Sequence, residues 1–519
     1  LVLLAVVGLV CSITAQYFAA RAATGFSARL RSALFAHLQR LSYREIDTLG
    51  SATMITRMTS DVNQLQNGVN LALRLLLRSP FVVFGAMVMA FTIDVPGATV
   101  FAVAIPVLLA VVFAIILVTI PMYRKVQNRL DGVTAATREN LTGVRVLRAF
   151  RKEQEEIAEF SRRNRLLNQL QLRVGRISNL LNPVTYVILN LAVVALLRTG
   201  ALRVNSGALT QGQVVALYNY MSQILVELIK FANLIITMTK AVACGNRIQS
   251  VFAMQSSQTS GSRHPEETLR GQVEFRNAGI TYGVAGAEAL SSVSFLARPG
   301  QTVGIIGGTG SGKSTLVNLI PRFYDATQGQ VLVDGVDVRE LNLEELRRRI
   351  AVVPQKAVLF RGTIRSNLLW GREDATEEEL QAALTVAQAM EIVQGKDQGL
   401  DAEVQQGGGN LSGGQRQRLT IARALIRQPE ILILDDSASA LDYATDARLR
   451  AAIGALPNPP TTFVVSQRAA SIRHADWILV LDDGRVVGQG THETLLEQCP
   501  VYQEIYHSQF RKEAHSHVS

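Results

Sequence analysis

The chain has 519 residues, too many for one compact core, and 48% of them are hydrophobic. The mean hydropathy is positive, and the formal charge is +10, from 52 Lys and Arg against 42 Asp and Glu. The long apolar runs exclude a soluble nucleic-acid-binding protein, so the basic excess indicates a membrane protein with basic cytoplasmic parts. Three cysteines, far apart in sequence, show neither metal-ligand spacing nor a disulfide framework, which favours a reducing cytosolic face: Cys11, Cys244 and Cys499.

Apolar stretches in the first half predict five transmembrane helices, because a helix needs roughly 20 mainly apolar residues to cross the hydrocarbon layer. They are Leu1 to about Ala20, Pro80–Thr92 with its flank back to Asn70, Thr99–Ile120, Pro183–Leu197, and Val214 to about Ile236. The first run begins without Met and lacks the basic start and cleavage site of a signal peptide. It is expected to be a membrane helix whose upstream neighbours are missing.

The segments between the spans alternate in length and charge. Gly25–Gln66 and Tyr123–Arg176 are long, basic and helical in composition, whereas Asp94–Gly97 and Arg198–Gln213 are short. The positive-inside rule puts the long segments in the cytosol as helical stalks and the short loops outside, although Arg198 and Arg203 weaken the signal.

Polar side chains in or near the spans are expected to face the bundle interior or a cavity, and some of them to touch substrate. They are Asn182, Asn190, Asn219, Gln223 and Glu227. Arg74 and Arg78 are instead expected to anchor a helix end near the membrane interface.

A change of composition after Met254 predicts a domain boundary. The expected domains are a transmembrane domain with stalks (1–250), a linker (251–267), a nucleotide-binding domain (268–510) and a frayed tail (511–519). In the third, strand-like runs alternate with helical ones, which predicts an α/β domain with a largely parallel sheet. The runs are Thr302–Ile306, Gly329–Val333, Ile350–Val353, Glu430–Leu434, Thr461–Val465 and Trp477–Leu481.

A phosphate-binding loop follows the run Thr302–Ile306 and precedes a helical segment, which is the setting that this loop requires. Glycines let the backbone wrap the phosphates with successive N–H groups, Lys313 supplies a charge for the β- and γ-phosphates, and the Ser314 hydroxyl is placed to ligate Mg²⁺. The predicted ATP-binding residues here are Gly307, Gly308, Thr309, Gly310, Ser311, Gly312, Lys313, Ser314 and Thr315.

A second apolar run, Glu430–Leu434, ends in Asp435 and Asp436. Folds with a phosphate loop place a carboxylate near Mg²⁺ at the C-terminal end of a neighbouring buried strand. The sequence therefore predicts Asp435 as a metal ligand.

Between these motifs lies Leu411-Ser412-Gly413-Gly414-Gln415, followed by a helical segment. This pentapeptide resembles the signature of ATP-binding cassette (ABC) proteins. The other motifs agree in order: Tyr282 matches the adenine-stacking aromatic, Gln355 the glutamine loop and Ser439-Ala440-Leu441-Asp442 the loop after the acidic strand. The resemblance covers essentially the whole chain, because Gly25–Arg176 looks like the stalks of an exporter-type transmembrane domain.

The resemblance implies a six-helix exporter-type transmembrane domain followed by an α/β P-loop nucleotide-binding domain. Five spans are found here, so the first is expected upstream of Leu1. It further implies ATP and Mg²⁺ as ligands, with Ser314, Gln355 and Asp435 around the metal. Paired cassettes sandwich each ATP between one chain's phosphate loop and the other's signature, and their closure moves the membrane helices. Two stalk turns, Ser42–Asp47 and Phe150–Phe160, resemble the coupling helices that dock on the cassettes.

Two positions depart from the family pattern. Where the family has a catalytic Glu, this chain has Asp436, and where it has a His that contacts the γ-phosphate, this chain has Gln467. A carboxylate withdrawn by about 1 Å can cost on the order of 10²-fold in rate, and Gln cannot take a charge as His can. In these two positions the chain resembles the degenerate subunit of a heterodimeric bacterial multidrug exporter. The resemblance implies that the ATP site of this chain hydrolyses ATP with reduced activity.

The predicted protein is a multi-pass plasma-membrane exporter subunit with a cytoplasmic nucleotide-binding domain. It acts on amphipathic drugs, lipids or peptides and binds a different half-transporter chain, but no nucleic acid. A homodimeric exporter with a competent site is the main alternative. A regulatory or channel-like ABC protein ranks lower, because the sequence shows no extra regulatory domain.

Overall fold

A computed structural model of the chain describes residues 2–76, 78–265, 269–282, 286 and 288–516. It divides into two compact units, Leu1–Gln39 with Gly50–Met254, and Arg40–Leu49 with Gln255–Ser519. The short segment Arg40–Leu49 therefore groups with the second unit, although it lies between helices of the first. Of the predicted segments, Leu1 and residues 77, 266–268, 283–285, 287 and 517–519 lie outside the described residues.

The first unit is built from helices. Up to Met254 the helices are α1 (Val2–Arg40), α2 (Tyr43–Leu49), α3 (Ser51–Thr56), α4 (Val62–Leu75), α5 (Arg78–Ile93), α6 (Val95–Thr142), α7 (Val144–Ala149), α8 (Glu153–Asn179), α9 (Leu181–Asn205) and α10 (Gln211–Phe252), with a π-helical turn at Arg57–Asp61. Within the described residues, five helical stretches are long and apolar enough to cross a membrane: Val2–Arg40, Ser51–Ile93, Val95–Thr142, Glu153–Asn205 and Gln211–Phe252. This confirms the five predicted spans, which continue as long stalks.

Helix-starting residues define the short connections between spans. The carboxylate of Asp94 accepts from the N–H of Gly97 at 2.9 Å and starts α6, and Thr210 forms a reciprocal capping box with Gln213 at the start of α10. Asp94 is also 2.8 Å from the guanidinium of Arg203. Arg203 lies in the last turn of α9, so the predicted loop Arg198–Gln213 is shorter than expected and comprises Ser206–Thr210. The ion pair gives this basic residue, in a segment that the charge rule places outside, an acidic partner.

The predicted second stalk turn is shorter than expected. Only Phe150–Lys152 lies between α7 and α8, so Glu153–Phe160 belongs to the first turns of α8 instead of a turn. Three glutamates in its first turn, Glu153, Glu155 and Glu156, suit a helix N-terminus, where negative charge is favoured.

Of the predicted polar span residues, Glu227 is the one that the structure buries. It is 3% exposed, and its carboxylate accepts from Ser79 Oγ at 2.8 Å and from Lys230 Nζ at 2.9 Å. Arg78, expected to anchor a helix end at the interface, lies 4.0 Å from the same carboxylate. A charge buried between helices is kept by such partners, because an unpaired one is costly.

The second unit is an α/β domain with further small helices. Its strands are β1 (Val273–Thr281), β2 (Glu288–Ala297), β3 (Thr302–Gly307), β4 (Gln328–Val333), β5 (Val336–Asp337), β6 (Ile350–Val353), β7 (Gly362–Thr363), β8 (Glu403–Val404), β9 (Ile431–Asp435), β10 (Thr461–Val465), β11 (Trp477–Asp482) and β12 (Arg485–Gly490). Its helices are α11 (Lys313–Leu319), α12 (Leu343–Arg349), α13 (Ile364–Leu368), α14 (Glu377–Val386), α15 (Met390–Gln394), α16 (Gly413–Ile426), α17 (Tyr443–Gly454), α18 (Ala469–Ile472), α19 (His492–Gln498) and α20 (Pro500–Ser516). The predicted frayed tail thus begins inside α20.

The main sheet has the strand order β12-β11-β3-β10-β9-β6, parallel except for β12. Central strands of a parallel sheet are covered on both faces, and Ile305 of β3 and Phe463 of β10 are accordingly fully buried. The carboxyl ends of β3, β10, β9 and β6 all lie along one edge of this sheet, which is where such folds bind ligands.

A second, antiparallel sheet has the order β2-β1-β4-β5. The predicted strand-like run Gly329–Val333 is strand β4 of this second sheet, where it pairs antiparallel with β1 and β5. The two-residue turn Asp334-Gly335 has positive φ at both positions, 50° and 77°, which is the geometry that returns a strand antiparallel to its neighbour.

Candidate nucleotide-binding site

The loop after β3 has the backbone that a phosphate cradle needs. Gly310 and Gly312 have φ of 83° and 94°, a region that L side chains rarely adopt. A Cβ on Gly312 would also lie 2.8 Å from the carbonyl oxygen of Ala289. Gly312 therefore cannot carry a side chain without displacing β2, and α11 begins at the next residue, Lys313.

Lys313 lies inside this loop and is buried. Its ammonium donates to the carbonyl oxygens of Gly307 at 3.0 Å and Gly308 at 2.5 Å. Burial lowers the pKa of Lys313, and the charges of Asp436 and Asp435 oppose that shift. The ammonium is thus held where the loop encloses it, beside the two carboxylates.

Ser314 and Asp435 are brought together from two strands of the sheet. Ser314 follows the loop after β3, Asp435 ends β9, and the Ser314 hydroxyl donates to Asp435 Oδ1 at 2.9 Å. Only β10 separates the two strands, so their ends lie at the same edge. Burial raises the pKa of Asp435, and the hydrogen bond from Ser314 opposes that shift.

Asp436 leaves the strand in an unusual conformation. Its φ is 46°, a left-handed value that Asp tolerates better than most residues, and its N–H donates to the carbonyl of Val465 at 3.0 Å. Gln355, from the loop after β6, donates to Asp436 Oδ2 at 3.2 Å. The structure therefore brings Gln355, predicted as the glutamine loop, to Asp436, the residue predicted as the catalytic acid.

Gln467 follows β10 on the same edge. Its carbonyl oxygen accepts from the side chain of Gln509 at 2.8 Å. The next residue, Arg468, donates to the carbonyl oxygens of Leu441 at 3.3 Å and Ser439 at 3.2 Å. Sequence motifs predicted Gln467, Ser439 and Leu441, but not the two residues that join them.

Tyr282 lies on the outer side of the loop and is 40% exposed. Its hydroxyl donates to Thr315 at 3.4 Å, and its ring meets the ring of Tyr324 edge-on with centroids 5.2 Å apart. Tyr324 was not predicted, and its hydroxyl donates to Asp47 of α2 at 2.5 Å. Burial raises the pKa of Tyr282, and the hydrogen bond to Thr315 opposes the shift.

The signature lies at the start of helix α16. Ser412 caps α16 through a reciprocal capping box with Gln415, at 3.2 Å and 2.9 Å. Ser412 and Gly413 are exposed. Among the described residues, no hydrogen bond joins the signature to residues 307–315, so on this chain the two motifs are separate.

Comparisons with known proteins agree with this arrangement. A family model described as the ABC transporter transmembrane region matches residues 1–228, and one described as ABC transporter matches residues 290–439. An uncharacterized ABC transporter ATP-binding protein of Mycobacterium tuberculosis is 40% identical over 98% of this chain and 88% of its own length. The chain belongs to the ABC transporter family.

Two further relatives refine the family assignment. A multidrug efflux ATP-binding/permease protein of Mycobacterium bovis is 33% identical over 92% of this ABC transporter, and the match covers 40% of that protein. The solved structure of a bacterial Atm1-family ABC exporter with ATP bound has a TM-score of 0.79 and 26% identity over 94% of this chain and 86% of its own. The exporter-type fold is thereby confirmed.

The family also settles location and the general activity. This ABC transporter is a multi-pass membrane protein with a cytoplasmic nucleotide-binding domain. Its ABC domain implies ATP binding and hydrolysis coupled to transport, and pairing with a second ABC subunit or a second copy of itself.

Proposed function

We propose that this chain is one subunit of a heterodimeric ATP-driven exporter of amphipathic small molecules such as drugs, lipids or peptides. Its own site binds Mg²⁺ and ATP but hydrolyses ATP slowly. Its signature, Leu411–Gln415, completes the competent site of a different partner chain.

The residues along the sheet edge fit a nucleotide with its metal. The positive-φ glycines leave the backbone N–H groups of the loop free of side chains, and Lys313 adds a cation beside them. Three side chains offer oxygen atoms as metal ligands: the Ser314 hydroxyl, the Asp435 carboxylate and the side-chain carbonyl of Gln355. This small set suits Mg²⁺, which uses one or two carboxylates and keeps water and phosphate oxygens as its other ligands. The metal would neutralise charge on the phosphates.

One observation carries the proposal of a slow site: both Asp436 and Gln467 depart from the family pattern beside an intact phosphate loop. Asp436 has one methylene less than the family's Glu, and its Oδ2 is already engaged at 3.2 Å by Gln355. Polarising a water requires a base within hydrogen-bond reach of it. A shorter side chain tied to Gln355 meets that condition poorly.

Support for a transporter with two halves comes from the multidrug efflux relative. The match to this chain covers 40% of that protein, which leaves room for a second half of similar length in one polypeptide. The intact, exposed signature of this chain is also what a partner's competent site would need. Both facts favour a pair in which one ATP site hydrolyses ATP and the other mainly binds it.

The alternative is a homodimer with competent sites, and one contact favours it. Asp436 keeps a carboxylate, and Gln355 lies next to it as an active glutamine loop would. In a homodimer the same chain would supply the phosphate loop and the signature of each site.

The deciding experiment is ATP hydrolysis by the purified chain alone in lipid vesicles, with Lys313→Ala as the background control. We expect a rate within a few-fold of that control, rising when the partner is co-reconstituted. Hydrolysis by the chain alone at about 1–10 s⁻¹, an ordinary enzyme rate, would replace the heterodimer with the homodimer. ATP-dependent movement of a fluorescent amphipathic dye in inside-out vesicles tests export, and its absence in the pair would overturn the exporter proposal.

A further inference from the structure

The C-terminal helix α20 holds the loop that carries Gln467. The side-chain amide of Gln509 makes two hydrogen bonds to this loop: its Oε1 accepts from the N–H of Ala469 at 2.8 Å, and its Nε2 donates to the carbonyl of Gln467 at 2.8 Å. An amide is the neutral side-chain group that can donate and accept in this paired way. The two bonds fix the backbone on both sides of Arg468.

Helix α20 is itself firmly placed. Tyr502 is fully buried, and Tyr506 and Phe510 pack on the hydrophobic core that surrounds β9 and α16. Because this core fixes the helix on either side of Gln509 in sequence, the amide reaches the loop from a rigid support.

The same loop connects onward to the loop after the acidic strand. Arg468 donates to the carbonyls of Ser439 and Leu441, and its guanidinium lies 5.3 Å from the ring centroid of Tyr443. The N–H of Arg468 donates to Ser466 Oγ at 3.0 Å. A displacement of the Gln467 loop therefore moves the donors that hold residues 439–441.

We propose that Gln509 is a positioning residue for ATP hydrolysis, which sets the Gln467 loop and, through Arg468, the loop Ser439–Asp442. The inference rests on the proposed function, because it assigns these loops to the ATP sites. It does not depend on which site hydrolyses, because Ala440 and Leu441 lie against Gly414 of the signature: a Cβ on Gly414 would be 3.1 Å from the carbonyl oxygen of Ala440. In a heterodimer the effect then reaches the partner's site through the signature, and in a homodimer it reaches both sites.

The test compares Gln509→Met with Gln503→Met in the full transporter in lipid vesicles. Both substitutions keep side-chain length on α20. Gln503 donates to the carbonyl of Leu496 at 2.7 Å, so the Gln503→Met variant also loses a side-chain hydrogen bond to the backbone, but one that lies away from the ATP-site loops.

We expect Gln509→Met to lower kcat for ATP by about 3- to 10-fold, because two hydrogen bonds are lost. The KM for ATP should change less than about twofold, because the phosphate loop and Tyr282 are untouched. Gln503→Met should leave both constants unchanged.

Two further variants keep the inference falsifiable if Gln509→Met is unstable. Gln509→Glu retains the acceptor for Ala469 but sets a carboxylate oxygen against the carbonyl oxygen of Gln467, so it should also lower kcat for ATP. Combining Gln509→Met with Arg468→Lys should cost no more than the worse single change, because both act through one loop. Any of three results would overturn the inference: a wild-type kcat in Gln509→Met, an equal loss of kcat in Gln503→Met, or additive losses of kcat in the combined Gln509→Met and Arg468→Lys variant. A wild-type pair that hydrolyses no ATP would instead overturn the proposed function, and the inference with it.

Discussion

The double substitution Asp436→Glu with Gln467→His should raise ATP hydrolysis at this chain's own site. The carboxylate of Asp436 now lies 3.2 Å from Gln355. One added methylene extends the carboxylate by about 1 Å, and an error of that size in a catalytic group can cost on the order of 10²-fold. The His adds a donor that can carry charge near neutral pH, which makes a stronger hydrogen bond to phosphate than a neutral amide does.

The expected size of the gain follows from these two terms. Asp436→Glu alone should recover about tenfold, since Gln467 still provides no charged donor to the γ-phosphate. Gln467→His alone should recover less, because no carboxylate then reaches the water. Together they should approach 10²-fold, which corresponds to about 2.7 kcal/mol of transition-state stabilisation. The backbone of Asp436, with φ of 46°, must accommodate Glu, which tolerates this region less well than Asp and limits the gain.

The assay is single-turnover ATP hydrolysis in a reconstituted pair whose partner site has been disabled by mutation. The unchanged chain should retain ATP through many turnovers of an intact partner site, and the doubly substituted chain should not. If the unchanged chain already hydrolyses its ATP at a competent rate in this assay, Asp436 and Gln467 are harmless substitutions. The claim that the shorter side chain of Asp436 slows hydrolysis would then be refuted, and a homodimer with competent sites would be the better description.

Three other predictions are independent of the partner's identity. Lys313→Ala should weaken ATP binding at this site about tenfold or more in a fluorescent-nucleotide titration; an unchanged Kd would refute the phosphate-loop assignment. Ser412→Ala with Gly413→Glu should reduce steady-state ATPase of the pair more than Asp436→Asn does, and the reverse ranking would contradict the slow-site proposal. Burial raises the pKa of Asp334 from 3.8 to about 6, so folding favours its protonated form and the free energy of unfolding falls as pH rises through that window. Asp334→Asn should therefore be more stable than wild type by about 1–3 kcal/mol at pH 8 and lose that advantage near pH 4; a thermal-unfolding difference independent of pH would count against this.

Motifs with a fixed local setting were predictable from the sequence. The strand before Gly307, the glycines of the loop and the acids after β9 each depend on residues that are close in the chain. Parallel strands then place their carboxyl ends on one edge, so Ser314 and Asp435 meet although 121 residues separate them. The periodicity of a buried strand and the chemistry of a phosphate loop were enough to place this part of the site.

Contacts that depend on long-range packing were not predictable. Gln509 is 42 residues from Gln467 and belongs to no motif; only the packing of α20 brings it to the loop. The antiparallel sheet was missed for a related reason. Its strands β1 and β2 show mixed burial and several register shifts, so their hydrophobic alternation is broken by bulges and gives a weak strand signal.

The segment Arg40–Leu49 makes its side-chain contacts within the second unit, although it lies between helices of the first unit in the sequence. It groups with the second unit, and its α2 is continuous in sequence with α1 on one side and α3 on the other. The ring of Tyr43 lies 4.6 Å from that of Phe323, and Asp47 accepts from Tyr324. Tyr324 in turn packs on Tyr282, the residue that resembles the adenine-stacking aromatic. Two side-chain contacts, Tyr282 with Tyr324 and Tyr324 with Asp47, thus link the aromatic predicted to stack on adenine to α2, which precedes α3 and follows α1 in the sequence.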